Sequence, residues 1–142
     1  MRLLCEGHNI EMQDYLRVQK TQVISHDLVT EIYLFLLALE PELDETNVGQ
    51  AKKAVDILVE LVQGNTSRGN SNLLLQTKLV AILERVVEKK TLGDSGADYE
   101  LNELRVSSLV LLEALLEGSS AEQCGRMLRV LDIGSLARAT AK

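Results

Sequence analysis

The sequence is poor in most of the residues that mark catalytic, metal-binding or membrane-spanning proteins. Aromatic residues make up 3% of its 142 positions: three Tyr, one Phe and no Trp. The core must therefore be aliphatic, built from Leu, Val and Ile packed between helices. A single proline, Pro41, leaves the rest of the chain without the main helix breaker. The two histidines, His8 and His26, and the two cysteines, Cys5 and Cys124, are too few and too scattered for a structural zinc set. Exposed or hydrogen-bonded histidines are expected instead. Without a Cys-x-x-Cys spacing, the cysteines read as buried thiols kept in a reducing compartment. No apolar run approaches the ~20 residues that span a bilayer. The start carries no signal-peptide pattern, so a soluble segment facing the cytosol is expected. Basic residues are outnumbered, 15 against 21 acids, for a net charge of −6. That balance argues against nucleic-acid binding, which needs a basic face.

What is present is helix. Hydrophobic residues are 46% and charged residues 25%, ordinary for a globular chain. The length suits one domain over residues 1–142, large enough to bury a core without staples. Apolar residues recur with helical period almost throughout. Residues 1–6 read as the end of a helix stopped by Gly7. Asn9 can cap a second, carrying Ile10, Tyr15, Leu16 and Val18. Ser25 can cap a third that ends at Pro41. That segment is apolar on nearly every side, so it should be the most buried. A fourth runs from about Asn47 to Gln63, stopped by Gly64. The stretch "GNTSRGNSN" reads as a loop. A fifth helix should span "LLLQTKLVAILERVVEKK", with basic residues suiting its negative end. After the loop "TLGDSGAD", a sixth and a seventh follow, and a short eighth could begin at Ser135. About seven helices with short connections imply an all-α fold, an armadillo-like solenoid or stacked helix pairs.

Several motifs fail on inspection. "GDSGAD" lacks the alternating acids and closing glutamate of a calcium-binding EF-hand loop. "GNTSRGNSN" lacks the Gly-Lys-Ser/Thr end of a phosphate loop. Asn65-Thr66-Ser67 is a glycosylation sequon only in a secreted chain. No nucleophile, base and orienting group can be assembled, so an enzyme is not expected. Two acids stand out by position. Glu6 precedes Gly7 and Glu60 precedes Gly64, each in the last turn of an expected helix. A carboxylate there opposes the negative helix end, so a basic side chain or a cation should offset it. Chance placement among 21 acids is the plainer explanation.

The stretch "LLCEGHNIEMQDYLRVQ" resembles the opening of the RIH-associated domain of intracellular calcium-release channels, the inositol trisphosphate and ryanodine receptors. Cys5, Glu6, His8, Asn9, Gln13, Tyr15, Leu16, Arg17 and Gln19 carry that match. A second block, "LVELVQG", is similar through Leu58, Glu60, Gln63 and Gly64. A weaker third, "LNELRVSSLVLLEALLEG" with the tail after it, resembles the inositol trisphosphate receptor branch. The sequence departs from the family at Asn65-Thr66-Ser67, and its connector between Leu39 and Val48 is shorter.

The resemblance implies a cytosolic regulatory domain that links ligand sensing to a pore, at the endoplasmic reticulum membrane in a homotetrameric parent channel. It implies that Glu6 and Glu60 help bind an activating calcium ion, completed by a carbonyl from the segment after the pore. His8 and Gln63 would then support the ligands, unless they only pack or cap. Calcium takes six to eight oxygens, and two carboxylates supply at most four. Other domains of the same channel are thus the implied partners. The alternative is a stand-alone helical scaffold that binds protein and no ion.

Overall fold

The computed structural model describes residues 7–92, 98–134 and 137, the side chain of Asp98 excepted. Among the described residues, seven α-helices run in order: α1 (Ile10–Arg17), α2 (Leu28–Leu39), α3 (Val48–Val62), α4 (Gly69–Leu74), α5 (Leu79–Glu88), α6 (Asp98–Leu116) and α7 (Ala121–Val130). A 3₁₀ turn, Glu40–Glu42, carries Pro41 after α2. No strand occurs among the described residues. The all-α expectation holds. The expected ends before Gly7 and beyond Ser135 fall largely outside the described residues.

Helix α3 is the centre of the stack. It packs on α2 and, most extensively, on α6, while α6 also covers α5 and α7 lies against α5. Val48, Ala51, Val55, Leu58 and Val62 make one stripe at three- and four-residue steps, and Ala54, Val59 and Leu61 widen it. All eight are buried. Opposite them, Leu101, Leu104, Leu111, Leu112 and Leu115 line α6. Each fully buried leucine contributes about 1.5–3 kcal/mol.

Several sequence expectations are corrected here. Helix α2 is not the most buried: four of its 12 residues are buried, against eight of 15 in α3. Leu34 and Phe35 of α2 are 44% and 47% exposed, because α2 meets neighbours on only part of its surface. Asp27, not Ser25, caps α2, accepting from Thr30 N at 3.0 Å. Ser25 instead bonds Gln19, whose Oε1 also accepts from His26 N. The single helix expected after Asn72 is two helices. Thr77 donates to Leu74 O and accepts from Leu79 N, which ends one turn and restarts the next. The expected loop "GNTSRGNSN" is half helix, since α4 begins at Gly69. Cys124 is half-buried rather than buried, and Cys5 lies outside the described residues.

Candidate functional site

The corner that opens the chain is built from two left-handed residues. Gly7 has φ +78° and His8 has φ 60°. Glycine adopts this region freely, whereas a side chain there costs roughly 1–2 kcal/mol. Asn9 then turns extended and caps α1, accepting from Met12 N at 3.1 Å, as its position in the sequence predicts.

The corner lies against the end of α3. Gly64 stops that helix with φ +67°. A Cβ added at Gly64 would stand 3.0 Å from both Cβ and Cγ of His8. Glycine is therefore required twice here, for its backbone angle and for the close approach of the histidine. The chain two residues beyond Glu6 thus meets the chain four residues beyond Glu60. Glu60 itself is half-buried in the last turn of α3. Gln63 is the C-cap residue of α3. Glu6 lies outside the described residues.

The carbonyls at the end of an α-helix lack intrahelical partners. At α3 every one from Val59 to Gln63 is satisfied. Gln63 N donates to Val59 O at 2.8 Å, and Asn65 N to Val62 O at 3.2 Å. The Gln13 side-chain amide donates to Glu60 O at 2.7 Å and to Gln63 O at 3.0 Å. Asn70 Nδ2 donates to Leu61 O at 2.8 Å and to Gln13 O at 3.1 Å. Arg17 Nε donates to Asn70 Oδ1 at 2.8 Å. Three elements, α1, α3 and α4, are joined through two fully buried amides.

The segment that departs from the family motif docks on both neighbours. Asp14 Oδ1 accepts from Asn65 Nδ2 at 3.3 Å and lies 2.9 Å from the Ser67 hydroxyl. Arg68, at φ 56°, donates to the carbonyls of Glu117 and Leu115 and to Ser119 Oγ, closing the end of α6. Glu117 Oε2 stands 3.5 Å from Gly64 N. Glu117 and Glu113 line an open cleft of about 530 Å³ with Gln63, Val110, Ala114 and Leu116.

The RyR and IP3R homology associated family model matches residues 1–87, which reach into α5. The chain belongs to that family. It is also 28% identical over 141 residues to the inositol 1,4,5-trisphosphate receptor itr-1 of Caenorhabditis elegans, across 91% of this chain and 5% of that receptor. The chain thus spans only a small part of the relative it matches. Both blocks carrying the expected acids fall inside the matched region.

Gln63, Glu113 and Glu117 line the cleft beside the end of α3, with Glu117 Oε2 near Gly64 N. Among the described residues, no three His, Cys, Asp or Glu are grouped so as to hold a metal by themselves. No described helix is long and apolar enough to cross a membrane. Sequence reasoning missed Asn70 and Arg68. Asn70 sat inside a presumed loop, and nothing in its neighbours marks it as buried.

Proposed function

We propose that this chain is a regulatory domain of an intracellular calcium-release channel of the inositol trisphosphate receptor branch. In this reading Glu60 and Glu6 contribute carboxylates to an activating calcium site, and His8 and Gln63 support them. The observation that carries it is the seating of His8 on Gly64. It brings the block that follows Glu6 against the turn that carries Glu60. The remaining oxygens come from elsewhere in the parent, such as the segment after the pore. Calcium then joins two regions of the channel and biases its open state, because it binds that state more tightly. The parent is a homotetramer at the endoplasmic reticulum membrane, with this domain on the cytosolic face.

Substituting each acid by Gln tests the reading. Glu6→Gln and Glu60→Gln remove a charge at constant size. The melting temperature of each variant domain should stay level or rise slightly, while the parent channel should need more calcium to open. Unfolding of both variants, or an unchanged calcium response, would count against the assignment. A protein-binding scaffold is the second reading, favoured by the exposed Phe35 beside an apolar groove of about 370 Å³ between α2 and α3. Normal calcium gating in both Gln variants, with loss of assembly in Phe35→Ser, would support it.

A further inference from the structure

We infer that Gln13 is a positioning residue for the ion site: its buried amide holds the carbonyls of Glu60 and Gln63 and so fixes where the Glu60 carboxylate stands. This rests on the reading above. Gln13 is fully buried on the inner face of α1, one turn before Leu16. Its one amide nitrogen ties both residues of the second family block that flank the end of α3. Without a donor from outside, a helix end of this kind frays or tightens to a 3₁₀ turn. The Glu60 side chain would then move with its backbone.

The clamp is itself braced. Asn70 holds the Gln13 carbonyl, and Arg17 holds Asn70. Gln13 cannot shift toward solvent without breaking that chain of bonds. Its Oε1 is buried without a partner among the described residues. An unpaired buried acceptor is unfavourable. The two bonds made by the donor end are what retain an amide at this position rather than a Met or Leu of similar size. The donors also face the negative end of α3, where no basic residue occupies the last turn.

A merely structural clamp would affect stability alone, so the test separates affinity from stability. The 142-residue chain, labelled with ¹⁵N, is titrated with calcium chloride at constant ionic strength. The amide signals of His8 and Gly64 and the Gln13 side-chain NH₂ are followed. Gln13→Met keeps length and removes the donor. Val55→Ala, in the fully buried core of α3, serves as a destabilised control. Gln13→Met should weaken calcium binding by at least ~10-fold, the low end for residues that orient ligands, with Val55→Ala unchanged. Wild-type affinity in Gln13→Met, or equal weakening in both variants, overturns the inference. If Gln13→Met does not fold, the wild-type signals decide. The Gln13 NH₂ must shift in step with His8 and Gly64, and an unmoved NH₂ overturns the proposal. The underlying reading fails differently, by full binding in Glu60→Gln or by no saturable shift in the wild type even with the segment after the pore added, and the inference falls with it.

Discussion

Replacing Asn70 by Ala probes the junction on which the whole corner depends. Asn70 is fully buried, and its amide satisfies the carbonyls of Leu61 and Gln13 while its oxygen accepts from Arg17. The Leu61 carbonyl lies in the last turn of α3, beyond the reach of the helical ladder. Truncation to Ala leaves it buried without a donor, at about 1–3 kcal/mol. The Gln13 carbonyl and the Arg17 guanidinium lose less. Gln13 O sits inside α1, and the Arg17 side chain is 27% exposed, so water can replace the lost contact. The total is about 2–4 kcal/mol, a large share of the roughly 5–15 kcal/mol that holds a domain folded. For a chain of this length that lowers the melting temperature by roughly 6–15 °C. Urea unfolding followed by circular dichroism reads the change directly. Asn70→Asp refines the test. It keeps an acceptor for Arg17 but sets a carboxylate against two carbonyls. It should be worse than Ala at neutral pH and improve as acid restores a donor. A cost for Asn70→Ala below about 0.5 kcal/mol would refute the reasoning, because the carbonyls would then have other partners.

Three further outcomes follow from the same contacts. Gly64→Ala should destabilise the domain by about 1–2 kcal/mol in chemical denaturation, since it strains a left-handed residue and crowds His8. Arg68→Ala should speed amide hydrogen exchange at Leu116–Ser119 while leaving α2 protected, because Arg68 closes only the end of α6. Asp44 binds the Thr46 hydroxyl and backbone, and then Asn47 N, ahead of α3; these bonds hold its carboxyl below the usual value. Its contribution is thus present above the ordinary aspartate pKa and lost as pH falls through the depressed one. Asp44→Ala should lower the melting temperature at pH 7, and the gap to wild type should close in strong acid.

Much of the helical layout is legible in the sequence, because aliphatic stripes at helical period and the stop at Gly64 act locally. Asn9 caps α1 as its position suggests, and Ser120 with Gln123 forms a capping box at α7. Asp27 outcompetes Ser25 because Gln19, six residues before it, takes the serine hydroxyl. The exposure of Leu34 and Phe35 depends on which neighbours α2 has, and composition does not carry that. The site is half legible. The likeness of two short blocks points to the α3 end, and packing brings His8 to Gly64. The amides that lock this meeting, Gln13 and Asn70, look like ordinary polar residues in sequence. One signal was available: Gln13 stands three residues before Leu16, on the buried side of α1.

The most direct test of the account is a crystal structure of the calcium-bound domain together with the segment after the pore, with calcium located by anomalous scattering. The account predicts one ion with an oxygen of Glu6 and an oxygen of Glu60 each at ~2.3–2.6 Å, and a further oxygen from the added segment. Well-ordered carboxylates of Glu6 and Glu60 more than ~10 Å apart, with calcium bound elsewhere, would contradict it.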